Sequence, residues 1–278
     1  MNVCLFFEGT GQGVAGRITN VTRLHDACVA DERQMLHLEP GVGTHFGAYI
    51  VGKIAGADWR ASFRSARRWL ESVYKSLPPD GIATNVFIFG FSRGALLARH
   101  TTAWLDKLGI VVAYLGLWDT VDSTIGLDVS ETCPENVKKA RHAVSRDETR
   151  RFFEYVPLRS ERKGVVEELV FPGGHSDVGG LYDDDHRIAD VALAWIAAGA
   201  KRQGMRIKRG VRMVQTLDAA PLTLHDEHGE VSNFWGAFDR VKRNLQGLKL
   251  HRNWRRVAAP IFNAEKQSGR EAEICLDV

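Results

Sequence analysis

The feature that most restricts this chain is a five-residue turn, Gly90-Phe91-Ser92-Arg93-Gly94, set between two apolar segments. Ahead of it, Val86-Phe87-Ile88-Phe89 is apolar on both faces, as a strand inside a parallel sheet has to be. Behind it, Ala95–Leu108 reads as a helix. Glycines on either side of the serine let the strand reverse sharply into the helix, while Ser92 takes a strained backbone that exposes its hydroxyl. A turn of this kind requires a sheet on one side and a helix packed back against it.

The rest of the chain repeats that alternation. Val3–Phe7 is a buried run ending in Glu8-Gly9-Thr10-Gly11, Ile110–Trp118 ends in Asp119-Thr120-Val121-Asp122, and Val165–Phe171 ends in Pro172-Gly173-Gly174-His175-Ser176-Asp177. Between the strands, Trp59, Phe63, Ala66, Leu70, Val73 and Leu77 recur at helical spacing until Pro78-Pro79-Asp80-Gly81 stops them. The opposite face, with Arg60, Arg64, Arg67 and Arg68, reads as solvated. A last helix is expected from about Ile188 to Gln203. The expected architecture is α/β, a mostly parallel central sheet flanked by helices, as one domain over residues 1–278.

Composition removes several function classes. With Lys+Arg at 37 against Asp+Glu at 34, the net charge of +3 is too small to point to nucleic acid as a partner. The cysteines Cys4, Cys28, Cys133 and Cys275 are scattered and read as reduced thiols, neither a disulfide framework nor a zinc site. Asp183-Asp184-Asp185-His186 reads as a solvated acidic loop, so neither a metal nor another cofactor is expected. The N-terminus lacks a basic segment and a long apolar core, and no run approaches the roughly 20 apolar residues that span a bilayer. The expectation is a soluble chain made in the cytoplasm, with export by a route lacking a cleaved signal left open.

Reactive groups collect at the carboxyl ends of strands in parallel sheets, and three of the runs end there with Ser92, Asp119 and His175. A serine hydroxyl needs an imidazole to take its proton, and the imidazole needs a carboxylate to hold its tautomer. The order Ser, Asp, His is one of the orders in which such triads occur. The backbone N–H of Arg93 faces a developing oxyanion, with a second donor expected from Gly9 or Thr10. Asp122 is an alternative acid near Asp119. A shifted arrangement makes Asp177 the acid and His225 or His251 the base; in the favoured one, Asp177 supports its loop by accepting backbone N–H bonds.

The ordered motifs Phe7-Glu8-Gly9-Thr10-Gly11, Pro40-Gly41-Val42-Gly43-Thr44, Gly90-Phe91-Ser92-Arg93-Gly94-Ala95, Asp119-Thr120-Val121, Asp147-Glu148-x-Arg150-Arg151-x-Phe153 and Pro172-Gly173-x-His175-Ser176-Asp177-Val178-Gly179-Gly180 resemble the α/β-hydrolase domain typified by bacterial type VI secretion phospholipase effectors. The resemblance runs from residue 7 to about 204. It implies a serine lipase that cleaves acyl esters of membrane phospholipids with Ser92, Asp119 and His175, serving as a secreted antibacterial effector with a secretion or immunity protein as partner. The first motif departs from the family's Phe-Asp-Gly-Thr, with Glu8 in place of the aspartate and Gln12 near the position of a following asparagine. Two other activities stay open: hydrolysis of small esters, and a catalytically weak module that binds a membrane or partner. Phe234, Phe238, Val241, Leu245 and Leu248 form a stripe among basic residues over about 234–256, a segment that can lie on an anionic membrane or pack on the sheet.

Overall fold

The computed structural model describes residues 1–9, 18–41, 59–77, 84–121, 127, 129–150, 153–209, 211, 223–225, 245 and 248–250. Seven strands form one sheet among them: β1 (Asn2–Phe7), β2 (Gln34–Glu39), β3 (Asn85–Phe91), β4 (Val112–Trp118), β5 (Ala140–Ser145), β6 (Val166–Phe171) and β7 (Lys249–Leu250). Their spatial order is β2-β1-β3-β4-β5-β6-β7, and every neighbouring pair is parallel. After β1 the chain moves outward to β2, then returns past β1 to β3 and continues toward β7. The direction of winding therefore reverses between β1 and β3, and the crevice beyond their carboxyl ends is where open α/β sheets hold ligands.

Helices cover both faces, because the central strands are apolar on both. Val3, Leu5, Phe7, Val86, Ile88, Leu115 and Leu117 pack with α2 (Trp59–Lys75) and α3 (Arg93–Lys107). Cys4, Phe6, Phe87, Phe89, Phe91 and Tyr114 pack on the other side with α1 (Asn20–Ala27), α4 (His175–Gly179) and α5 (Arg187–Arg202). The α2 stripe is as the spacing predicts: Trp59, Ala66, Leu70 and Val73 are buried, and Arg60, Arg64, Arg67 and Arg68 are exposed. Cys4, Cys28 and Cys133 are buried thiols.

Several elements lie outside what the sequence predicts, among them α1, β2 and β5. Helix α1 is short; Thr19 caps it by accepting from the Val21 N–H at 3.1 Å. Strand β2 forms the edge beside β1. Strand β5 separates β4 from β6 in the sheet. Of the expected basic amphipathic segment over about 234–256, only 245 and 248–250 are among the described residues, and Lys249–Leu250 there is strand β7, not helix.

Asn20, fully buried at the start of α1, ties the layers together. Its amide donates to the Val178 carbonyl in α4 at 3.0 Å and to the Ala189 carbonyl in α5 at 2.9 Å. Asn20→Ala would leave both carbonyls buried without that donor, so it is expected to lower stability by about 2–4 kcal/mol. Urea denaturation checks this; an unchanged midpoint would contradict it.

Candidate active site

The carboxyl edge of the sheet is laced by bonds that continue the strand ladders past their ends. The Ser92 N–H donates to the Trp118 carbonyl at 3.1 Å, the Asp119 N–H to the Ala143 carbonyl at 2.7 Å, and the Arg146 N–H to the Phe171 carbonyl at 2.9 Å. Ser92, Asp119 and the corner leading to His175 therefore share one edge.

Ser92 has φ +61° and ψ −128° and immediately precedes α3. A non-glycine residue adopts such a backbone only where its surroundings impose it. Here the surroundings are tight: a Cβ on Gly90 would lie 2.7 Å from the Ala95 Cα, and one on Gly94 would lie 2.8 Å from the Glu8 carbonyl carbon. The two glycines thus allow β3 and α3 to close on each other and on the end of β1. The side chain of Arg93 is buried, and burial pushes its guanidinium down to about 10.

Asp119 and His175 meet. The imidazole Nδ1 lies 2.6 Å from Asp119 Oδ2, and both residues are buried, with side chains 0% and 4% exposed respectively. Asp119 also accepts the Ser145 N–H at 2.8 Å and the Ser145 hydroxyl at 2.9 Å. Like Ser92, it holds a positive φ, +39°.

The imidazole is held from both sides. Phe91, the residue before Ser92, stacks on it with centroids 4.5 Å apart, and Phe153 meets it edge-on at 4.9 Å. Glu148 Oε2 accepts the His175 backbone N–H at 3.3 Å, while Arg150 pairs with the same carboxylate at 2.7 Å and lies over the Phe153 ring. Burial pushes the Glu148 carboxyl up, but hydrogen bonding and charge from Arg150, with a smaller pull from His175, outweigh it and leave the group below its ordinary range. Asp147 clamps the preceding turn, accepting the Gly173 N–H at 2.7 Å. Sequence reasoning carried Glu148, Arg150 and Phe153 only as part of a family signature, and it missed Ser145, which no sequence pattern marks.

The other candidate residues take distinct places. The Gly9 Cα packs near the Ser92 turn, where an added Cβ would sit 3.5 Å from the Ser92 Cβ. The Gly9 N–H, however, donates to Glu8 Oε2 at 3.2 Å. Glu8 is buried and also accepts from the Thr19 hydroxyl at 2.8 Å and from the Thr22 N–H and hydroxyl. Burial pushes its carboxyl above the usual range against the pull of the Thr22 and Thr19 hydrogen bonds. Thr10, Asp122 and His251 lie outside the described residues.

Asp177 caps the loop by accepting the Gly174 N–H at 2.8 Å and the His225 N–H at 3.2 Å, and its Oδ1 lies 2.7 Å from His225 Nδ1. The shifted pair is therefore also formed. Its outer nitrogen, His225 Nε2, meets Asp184 Oδ2 at 3.1 Å. Asp185 pairs with Arg187 at 2.5 Å and accepts the Thr223 N–H at 3.0 Å, so two members of the acidic run are engaged within the fold.

Comparison with known proteins bears on this arrangement. The chain matches the model of the type VI secretion system Tle1-like phospholipase effector catalytic domain over residues 1–113 and 110–199. No curated protein matches it. Among solved structures, an uncharacterized protein from Pseudomonas aeruginosa aligns with a TM-score of 0.55 and 21% identity, covering 75% of this chain and 46% of that one. The Tle1 effector bound to the VgrG spike of the type 6 secretion system aligns with a TM-score of 0.44 and 21% identity, covering 66% of this chain and 51% of that one. The RedJ thioesterase of prodiginine biosynthesis in Streptomyces coelicolor gives 0.42 and 13%, covering 71% and 89%. This chain spans about half the length of the first two. The likeness to the Pseudomonas aeruginosa structure is one of fold, and in this chain that fold is α/β with a parallel central sheet flanked by helices. Matched across most of its length, the chain belongs to the family of Tle1-like phospholipase effector catalytic domains.

Proposed function

We propose that this chain is a serine esterase that cleaves the acyl ester bonds of membrane phospholipids as a phospholipase A, with Ser92 as nucleophile, His175 as general base and Asp119 as the orienting acid. The observation that carries the reading is the buried 2.6 Å contact between Asp119 and His175 on the edge that also bears the strained turn of Ser92. With Nδ1 facing a carboxylate, the imidazole keeps its proton there and leaves Nε2 to accept one. The Ser92 Oγ attacks the ester carbonyl carbon as its proton passes to His175 Nε2. His175 then protonates the departing lysophospholipid oxygen, leaving an acyl-serine. Water, deprotonated by His175, attacks that ester and releases the fatty acid and Ser92. The backbone N–H of Arg93, in the first turn of α3, supplies one oxyanion donor. Engagement of the Gly9 N–H by Glu8 favours Thr10 over Gly9 for the second.

Family membership supports delivery by the type VI machinery, and with it export without a cleaved leader and a secretion or immunity protein as partner. No helix among the described residues is long and apolar enough to cross a membrane. Purified protein incubated with mixed phospholipid vesicles is expected to release fatty acid and lysophospholipid, measured by mass spectrometry. Ser92→Ala is expected to reduce release by at least about a thousandfold. Turnover of short soluble esters without phospholipid cleavage would replace the lipid substrate; equal release by both proteins would remove Ser92 from the mechanism.

The Asp177–His225 pair reads as a clamp, because the outer nitrogen of His225 is directed at Asp184. Burial lowers the pKa of His225, but the hydrogen bonds to Asp177 and Asp184 outweigh it and leave the group above its ordinary value. A raised folded-state value stabilises the fold below the ordinary histidine range and loses that contribution as pH rises through the folded value. The melting-temperature advantage of wild type over His225→Gln is therefore expected to be greatest near about pH 6 and to shrink by about pH 8.5, with esterase activity kept. Abolished activity in a folded His225→Gln protein would favour the shifted triad.

A further inference from the structure

Another buried imidazole–carboxylate pair lies behind Asp119, and the reaction above makes no use of it. His142 on β5 is fully buried. Its Nε2 is 3.0 Å from the backbone N–H of Thr120, the residue after Asp119. A backbone N–H can only donate, so Nε2 is the acceptor and carries no proton. The ring is then neutral, with its proton on Nδ1, 2.8 Å from Glu168 Oε1 on the neighbouring strand β6. Glu168 is fixed in turn by the Tyr155 hydroxyl at 2.7 Å and the Leu158 N–H at 2.8 Å. Burial pushes the Glu168 carboxyl up, but the hydrogen bonds from His142 and Tyr155 outweigh it and hold the group below the ordinary range. The Tyr155 ring also lies along that of His142, centroids 5.9 Å apart.

The position of this pair gives it a task. β4 and β5 are in register up to Trp118 and Ala143, and there the ladder ends. Immediately beyond, Asp119 turns to φ +39°, a conformation that costs free energy for a residue with a Cβ. The Asp119 N–H still reaches the Ala143 carbonyl, but the next peptide N–H is taken by a side chain, that of His142. Among the described residues the Thr120 hydroxyl is buried without a partner. One side of the Asp119 peptide is thus held by the sheet and the other by His142. Together with Ser145 on the carboxylate, these contacts determine where Oδ2 lies relative to His175.

We propose that His142 and Glu168 are positioning residues for the acid of the triad, holding the Asp119–Thr120 peptide in its strained conformation through the acceptor at His142 Nε2. The proposal rests on Asp119 being that acid. Glu168 keeps the His142 proton on Nδ1, and so keeps Nε2 available to accept. A displaced Asp119 carboxylate would still leave a folded protein and an intact substrate surface, so the loss should fall on turnover and not on substrate binding.

Two substitutions separate reach from polarity. His142→Gln places an amide oxygen near the former Nε2 position, whereas the shorter His142→Asn cannot reach the Thr120 N–H. Both are to be compared with wild type and Asp119→Asn in the full chain, using hydrolysis of a soluble p-nitrophenyl butyrate ester alongside circular dichroism and thermal melting. His142→Asn is expected to lower kcat by about 10- to 100-fold with KM changed less than about twofold, while His142→Gln stays within about threefold of wild type. Wild-type kcat in His142→Asn overturns the proposal, as does a His142→Gln protein that unfolds or loses as much as His142→Asn. A His142→Asn protein that loses activity only because it unfolds makes the pair a stability element and also overturns it. Full activity in Asp119→Asn defeats the triad reading itself, whereas loss there with full activity in His142→Asn defeats only the positioning role.

Discussion

Asp119 holds a left-handed backbone, and its carboxylate, fully buried, meets His175 at 2.6 Å. Burying a carboxylate is costly unless its oxygens are satisfied, and here Ser145 and His175 do so from two different strand ends. That contact joins β4 to the turn after β6 across β5, so it can form only if all three strands end at the same height. The parallel register from Leu115↔Ala140 to Trp118↔Ala143, and from Ala140↔Val166 to Ser145↔Phe171, provides that alignment. The bond from the Ser92 N–H to the Trp118 carbonyl brings the Ser92 turn to the same edge.

Around this contact the fold buries several paired carboxylates. Glu8 satisfies the start of α1, Glu148 the backbone of His175, Asp177 the N-terminus of α4, and Glu168 the ring of His142. Each of these carboxylates accepts at least one backbone N–H from a turn or helix start, where the strand ladder no longer provides a partner. These side-chain bonds tie the described loops of the carboxyl edge to one another. The imidazole of His175 is stacked on Phe91 and meets Phe153 edge-on.

The sequence was most legible where burial is apolar on both faces. Val86–Phe89, the glycines about Ser92 and the α2 stripe each carry a period or a steric demand that one segment displays alone. It was least legible where burial is polar. Strand β5 reads Ala-Arg-His-Ala-Val-Ser, and its inward His142 is tolerated only because Thr120 and Glu168 complete it from other strands. Helix α1 begins with Asn20, whose two carbonyl partners lie more than 150 residues away in the chain. Gly9 was a natural oxyanion candidate by position, but the donor is turned by the neighbouring Glu8, a matter of side-chain geometry that no spacing encodes. Both Asp–His pairings suggested by the motifs exist in the structure, and only the surroundings of the outer imidazole nitrogen distinguish their chemistry.

The most direct measurement of the central claim is intact-protein mass spectrometry after exposure to a fluorophosphonate, with the adduct mapped by peptide sequencing. The proposed triad predicts a single stoichiometric adduct on Ser92, formed at least about a hundredfold more slowly in a folded Asp119→Asn protein. An adduct on another serine, or none on folded wild-type protein, would contradict the assignment of Ser92, Asp119 and His175 as the catalytic group.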